Sequence, residues 1–452
     1  MAMDTKNEAL LQHELIGVQD DCTGGAEFIP TNHPGAAWFK DAGMGMFVHF
    51  GISSVFGACD LSWGMIDEYP WGGKVNTRPR PTPRQYYEVG MRNFTAENYE
   101  PEKWLTKARD LGCKYAVLTT KHHDGYTLWP SKYSEIGVHS ALDGRDLVQP
   151  FVDACLKLGL KVGLYYSPPD WYYNHEYRNF TANKEKIKDI DLNDRGPITE
   201  MDPEHAKKYA EKVRGEVFEL LDRYHIDVLW FDGRGEFPKN WPDPFTPEEI
   251  RAKQPWILIN PRFFGGGKVG DFVTPECQFP AEPPEGMWEL CHQLSGGGWG
   301  YTVHPYKSLG WFTAMMSMTR AWKGNFLFNV GPDSAGQMPG DFYFRIKEIR
   351  AWMEKHREAV LDGVVGAGIE PRINTWLTTR DGGKVWYAHV LPGKKDKPRI
   401  AEVVITGCDA APQSCVRLSD GKCMDYTFDG GVLTISTDGC DNRFTEIFRI
   451  QW

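Results

Sequence analysis

KYAVLTTKHHDGYTLWPSK, residues 114–132, decides how this chain is read. It opens as a buried strand, with Tyr115, Ala116, Val117 and Leu118 in one apolar run. Lys121, His122, His123 and Asp124 follow at once, where the apolar run stops. A short run of this kind, apolar on both faces, fits a strand of a covered parallel sheet. Ionisable residues gathered at the C-terminal end of such a strand point to chemistry, because parallel barrels carry their active residues there.

Working outward, strand-like and helix-like segments alternate on both sides. MGMFVHF (44–50) reads as a strand and PEKWLTKARDLG (101–112) as a helix, with Trp104, Leu105, Ala108 and Leu111 on one face. Downstream come a helix over 147–160, a strand over 161–167, a long helix over 204–225 and the strand IDVLWFD (226–232). WILIN (256–260) and NFLFNVG (325–331) read as further strands, with helices over 308–324 and 343–360. This order predicts an α/β chain folded as a (β/α)8 TIM-like barrel, with a doubly wound sheet as the alternative. No Gly-rich dinucleotide fingerprint follows a strand, and GGGKVG (265–270) and SGGGWG (295–300) lack P-loop order. From residue 362 the texture changes. KVWYAHVL (384–391), EVVIT (402–406), GVLTIST (431–437) and FTEIFRI (444–450) are short alternating runs between turns. They predict a C-terminal antiparallel β-sandwich over 362–452, after a barrel over 28–361 and an N-terminal extension over 1–27.

Composition narrows the function. The net charge is −10, which disfavours nucleic acid and anionic membranes as partners. No apolar run is long enough for a membrane span. The start, MAMDTKNEALLQHELIG, lacks the apolar core of a signal peptide. The expectation is therefore a cytoplasmic protein, or a periplasmic or secreted one if a leader has been removed. The 10 cysteines show neither C-x-x-C nor zinc spacing. The 17 tryptophans suit sugar stacking and an ordinary core equally well.

The strand ends line up as His49; then Lys121 to Asp124; then Tyr165, Tyr166 and Ser167; then Trp230 and Asp232; then Asn260 and Arg262. Their recurrence predicts one wet, aromatic-walled pocket. Asp232, closing DVLWFD, reads as a nucleophile, a metal ligand or a helix cap. Glycoside chemistry needs a second carboxylate, and Glu236, Glu276 and Glu289 are the candidates. His122 and His123 are neighbours, so on an extended segment they point to opposite sides. A metal there would need help from Asp124 and His49; hydrogen bonding to sugar hydroxyls fits the aromatic company better.

Together these segments resemble glycoside hydrolase family 29, the α-L-fucosidases. The resemblance rests on WFKDAGMGMFVHFG (38–51), KYAVLTTKHHDGYTLWPSK, KVGLYYSPPDW (161–171), DVLWFDG, GDFVTPE (270–276), WELC…WGY (288–301) and GNFLFNVGPDSAGQMP (324–339), in the family's order. It implies a retaining exo-glycosidase acting on fucosylated oligosaccharides or glycoconjugates through a covalent intermediate, with no metal and no cofactor. Asp232 falls on the nucleophile and Glu276 on the acid/base, with Glu289 as the alternative. His49, His122, His123, Tyr166 (or its neighbour Tyr165), Trp230, Arg262 and Trp299 fall on sugar-contacting positions. Phe50 stands where the family usually has Trp, NPRFF (260–264) replaces a more usual Asn-Asp-Arg, and neither LSWGMI (61–66) nor RQYYEVG (84–90) carries the usual Glu-Trp pair. These departures keep α-L-galactose in play as a rival sugar, and a weakly catalytic carbohydrate-binding protein as a rival class. Oligomeric state is left open.

Overall fold

The computed structural model describes residues 27–57, 60–65, 81–177, 201–238, 240–368, 372–394 and 397–452. Most of the N-terminal extension lies outside them. Eight parallel strands run in chain order: β1 (Met44–Val48), β2 (Tyr115–Lys121), β3 (Lys161–Tyr166), β4 (Val228–Phe231), β5 (Leu258–Ile259), β6 (Phe272–Val273), β7 (Met287–Gln293) and β8 (Asn325–Val330). Their order in space is β5-β4-β3-β2-β1-β8-β7-β6, a nearly closed barrel. The ladder is interrupted only between β5 and β6. Asp271 bridges that seam: its N–H donates to the Ile259 carbonyl at 2.7 Å, and its carboxylate accepts the Ile259 N–H at 2.7 Å. The same carboxylate takes Arg251 at 2.9 Å and the Thr31 N–H at 2.7 Å.

The helices outside the barrel are α1 (Pro83–Asn93), α2 (Pro101–Leu111), α3 (Val148–Leu158), α4 (Pro203–Arg223), α5 (Pro247–Lys253), α6 (Leu309–Ala321) and α7 (Gly340–Val360). Four of them, α1, α2, α4 and α5, begin with Pro in the first turn. A proline is tolerated there because its missing N–H has no helical partner anyway. Helix α2 buries Trp104, Leu105, Ala108 and Leu111, as its periodicity requires. Deleting the Leu105 side chain to Ala would remove about 2–5 kcal/mol.

Strand alternation divides the core into two layers. Phe47, Tyr115, Val117, Tyr165, Val228, Trp230 and Leu327 fill the barrel interior as one cluster. Ala116, Leu118, Val162, Leu164, Leu229 and Phe231 face the helices in another. The register of β2 on β3 slips between Thr119 and Lys121, a bulge that turns Lys121 outward. There it joins Asp170 (3.2 Å), Glu216 (2.9 Å) and, through them, Lys212 in a buried ion quartet against α4.

After the barrel the chain forms two antiparallel sheets. The five-stranded sheet runs β9 (Val365–Gly368), β10 (Trp376–Arg380), β11 (Val385–Val390), β16 (Glu446–Gln451), β13 (Ser414–Arg417). The three-stranded sheet runs β12 (Glu402–Ile405), β15 (Val432–Ser436), β14 (Tyr426–Asp429). Leu377, Ala388, Val403, Ile435, Phe448 and Ile450 lie in the core between them.

Candidate active site

At the C-terminal end of the barrel a pocket opens among residues from β1, β3 and β4 and from the segments that follow β1, β2, β4, β5, β6 and β7. Its centre is a carboxylate pair. Val228, Trp230 and Asp232 share one face of β4 and its extension, so an inward Trp230 brings Asp232 inward as well. Glu276 arrives from the other side of the seam, where the backbone beyond β6 still pairs with Cys291 of β7. Cys277, the next residue, has φ +57°, a left-handed conformation that turns the chain immediately after Glu276.

Arg262 joins the two acids. Its Nη1 donates to Asp232 Oδ1 at 3.0 Å and to Glu276 Oε2 at 2.7 Å, so those two oxygens lie no more than about 5.7 Å apart. Thr274 holds the rest of the guanidinium, with its Oγ1 on Nε and its carbonyl on Nη2, both at 2.9 Å. The guanidinium rests over the Trp230 ring at 4.5 Å. Trp230 stacks on Tyr165 at 5.6 Å, and Tyr165 on His122 at 5.8 Å. Tyr165 in turn donates its hydroxyl to Asp232 Oδ2 at 2.6 Å. Both oxygens of Asp232 are therefore fixed by members of one stack.

The histidines line the pocket, and each is braced from outside it. His49 Nδ1 lies 2.5 Å from Asn329 Oδ1, while Asn329 Nδ2 donates to the Trp299 carbonyl at 2.6 Å. That second bond orients the amide, so His49 Nδ1 carries the proton and Nε2 is left as an acceptor. Burial drives the His49 pKa down to about 4, so the ring is neutral near pH 7. Burial, with His123 and His49 adding to it, likewise holds His122 well below the usual imidazole range. His122 Nδ1 meets the Ser62 hydroxyl at 2.6 Å. His123 Nδ1 meets Ser167 Oγ at 2.6 Å; Ser167 sends its own proton to the Pro169 carbonyl, so the imidazole is the donor. His123 Nε2 then faces Asp232 Oδ2 at 3.7 Å.

Of the residues singled out by sequence, His49, His122, His123, Trp230, Asp232, Arg262, Glu276 and Trp299 all meet in this pocket. Tyr166 does not. Side chains alternate along β3, so Tyr165 points in and Tyr166 points out, to Glu216 of α4 at 2.5 Å. Glu289 is fully buried beneath Trp230 and does not line the pocket. Glu236 is occupied with Asn174, Tyr209 and the Asp170 N–H. Asp124 accepts Tyr86 Oη at 2.6 Å and the Tyr126 N–H at 2.9 Å, which makes it a brace for its own turn.

Sequence reasoning missed Phe47, Leu61, Trp63, Asn329 and Ser62, whereas Ser167, read at a strand end, braces His123 from outside the pocket. Phe47 carried a signal, since it lies two residues before His49 on one strand. Leu61 and Trp63 come from a short helical turn, Leu61–Met65, and Leu61 takes φ +53°. The preceding Asp60 accepts the Trp299 N–H at 2.8 Å and so ties that turn to the loop over the pocket. The loop can close because residue 331 is glycine: a Cβ there would fall 2.3 Å from the Gly300 backbone.

His122, His123 and Asp232 offer three ligand atoms within 4.8 Å of one another, a set that a cation could use. Both Nδ1 atoms are already committed to serines, which leaves the two Nε2 atoms and the carboxylate that Tyr165 and Arg262 hold.

Known proteins with this arrangement were found by sequence and by shape. The chain is similar to a tissue alpha-L-fucosidase of Bos taurus, 26% identical over 404 residues, covering 81% of this chain and 76% of that protein. It is 28% identical over 364 residues to an alpha-L-fucosidase of Branchiostoma floridae, covering 72% of each. Among solved structures, alpha-L-fucosidase isoenzyme 1 from Paenibacillus thiaminolyticus superposes with a TM-score of 0.72 at 26% identity, covering 92% of this chain and 98% of that one. Residues 29–358, the span that carries every residue lining the pocket, match the model of the Alpha-L-fucosidase family, and to that family this chain belongs.

Proposed function

We propose that this protein is a retaining exo-α-L-fucosidase, with Asp232 as nucleophile and Glu276 as general acid/base. One observation supports the retaining assignment: Arg262 Nη1 holds an oxygen of each acid, so these two oxygens lie within about 5.7 Å of each other. Retaining glycosidases need about 5–5.5 Å, whereas inverting ones leave about 6.5–9.5 Å for a water.

The two steps follow from the hydrogen bonds. Arg262 and Tyr165 fix the Asp232 carboxylate, so an oxygen is aimed at the anomeric carbon while charge develops there. That oxygen forms a bond to C1 as the C1–O bond to the aglycone breaks, and Glu276 passes its proton to the departing oxygen. Glu276 must enter this step protonated, because it is the proton donor to the leaving oxygen. In the second step Glu276, now a base, takes a proton from water. The water oxygen attacks C1, and Asp232 leaves as the carboxylate. Two inversions give retention.

The walls suit a deoxy sugar. His49 Nε2 and His123 Nε2 accept protons from hydroxyls, and Trp230 and Trp299 cover apolar faces. Phe47 and Leu61 add apolar lining that offers no hydrogen bond. A methyl fits such a lining, whereas the extra hydroxyl of α-L-galactose would be buried unpaired at about 1–3 kcal/mol. The test is release of nitrophenol from its α-L-fucoside by wild type and Asp232→Asn, with and without azide. Activity lost in the variant and returned by azide as a β-fucosyl azide supports the assignment; an Asp232→Asn enzyme of wild-type rate refutes it.

A further inference from the structure

One carboxylate beneath the pocket takes no part in this double displacement. Glu289 lies on β7, two residues before Cys291, and both face the barrel interior. Its side chain is fully buried and both oxygens are engaged. Oε1 accepts the Trp230 Nε1–H at 3.1 Å, and Oε2 accepts the Tyr115 hydroxyl in a short hydrogen bond. The Tyr115 ring lies across Gly45, where even a Cβ would come within 2.5 Å of it. That packing seats the tyrosine rigidly, so the carboxylate it holds is rigid too.

From Glu289 a line of contacts leads up to the reacting pair. Trp230, gripped by its edge, lies flat under the Arg262 guanidinium at 4.5 Å, and Arg262 bridges Asp232 and Glu276. We infer that Glu289 is a positioning residue: by holding the indole edge of Trp230 it fixes the plate on which Arg262 rests, and so the spacing of the two catalytic acids. It is not a reserve acid/base. Trp230 separates it from the pocket, and neither oxygen can turn toward a glycosidic bond without abandoning a buried donor. Burial pushes its carboxyl up to about 7, opposed by the two hydrogen bonds. The role so assigned rests on the retaining reading of the pocket.

The test uses Glu289→Gln, Trp230→Phe and the double variant on aryl α-L-fucosides whose leaving groups range from good to poor, with and without azide. Gln keeps the size of Glu but replaces the charged acceptor of the Trp230 N–H and the Tyr115 hydroxyl with a neutral amide. Phe keeps an aromatic plate under Arg262 but drops the N–H and narrows the plate by one ring. Each single variant is expected to lower kcat by about tenfold or more, the loss of one hydrogen bond to a charged acceptor. The loss is the same for every leaving group, KM changes little, and azide produces no fucosyl azide from Glu289→Gln. Because both variants cut one tether, the double variant falls no further than the worse single one. Loss that grows with leaving-group pKa, or azide rescue of Glu289→Gln, makes Glu289 the acid/base and overturns the inference. So do additive losses, or a wild-type rate in either variant. If Glu289→Gln does not fold, Trp230→Phe decides alone, a wild-type rate again overturning the tether. A wild type inert toward every aryl fucoside overturns the fucosidase reading itself, an outcome distinct from all of these.

Discussion

Replacing Asn329 by Asp should invert the polarity of one pocket wall. In the native protein the Asn329 amide donates to the Trp299 carbonyl and accepts from His49 Nδ1 at 2.5 Å. The ring stays neutral because burial lowers its pKa to about 4. An aspartate keeps the acceptor and adds a charge. At roughly 3 Å and an effective dielectric near 20, a carboxylate and an imidazolium attract by about 5 kcal/mol, or roughly 4 pKa units. The new carboxylate loses hydration of its own, so we expect about half of that, a rise of His49 to about 6 or above. Once protonated, His49 Nε2 becomes a donor where the sugar hydroxyl needs an acceptor. The kcat/KM profile for an aryl α-L-fucoside should therefore gain an acid limb near pH 6, falling about tenfold per pH unit below it. The native enzyme should show no His49 limb until about pH 4. The lost bond to Trp299 lowers activity equally at all pH values and leaves the limb in place. Superimposable acid limbs, or 15N shifts showing neutral His49 in the variant at pH 5, would refute the assignment of proton and acceptor.

Three further outcomes are expected. Lys121→Met removes a cation from a fully buried quartet and leaves Asp170 and Glu216 with Lys212 alone, so thermal or denaturant unfolding should report about 3–5 kcal/mol of lost stability; a variant of native stability contradicts this. Nitrophenyl α-L-galactoside should be cleaved about 10–100-fold less efficiently than the fucoside, the equivalent of one unpaired buried hydroxyl, and equal efficiency removes the apolar lining as a selector. Burial lowers His356 of α7 to about 4 and His389 of β11 to about 3, so both are neutral in the fold and protonate readily when unfolded. Their contribution is complete above pH 6.5 and is lost as pH falls from there toward 4 and 3, by about 3 kcal/mol for His356 and about 5 kcal/mol for His389; unfolding followed between pH 7 and 4 should show the decline, and His389→Gln should flatten it.

What could be read from sequence divides along physical lines. Strands β2, β4 and β8 announce themselves because both faces are buried and few polar residues interrupt them. Asp232 was legible because an apolar strand ends on it. The choice between Tyr165 and Tyr166 was not, since period-2 alternation gives two phases and only pairing with Trp230 selects one. Strand β7 escaped notice because MWELCHQ carries Glu289, His292 and Gln293, polar residues whose partners lie elsewhere in the chain. The helix α1 over RQYYEVG was missed, although Thr82 and Gln85 form a capping box and Pro83 opens the first turn. Leu61, Trp63 and Asn329 reach the pocket or its braces through tertiary placement that no local pattern encodes.

The seam between β5 and β6 has a consequence for how mutants are judged. Arg262 follows β5 and Glu276 follows β6, so their 2.7 Å bond spans the one place where the barrel lacks a ladder. Below it the Arg262 bonds to Thr274 and the Asp271 bridge make further crossings. The contact that sets up the reaction is thus also a clasp on the cylinder. Removing either partner to silence chemistry unfastens the wall as well, and a dead Glu276 variant that melts early has lost a latch along with a proton donor. Inhibitors that grip both acids should, for the same reason, act as rivets, raising the melting temperature more than their contact area alone would give.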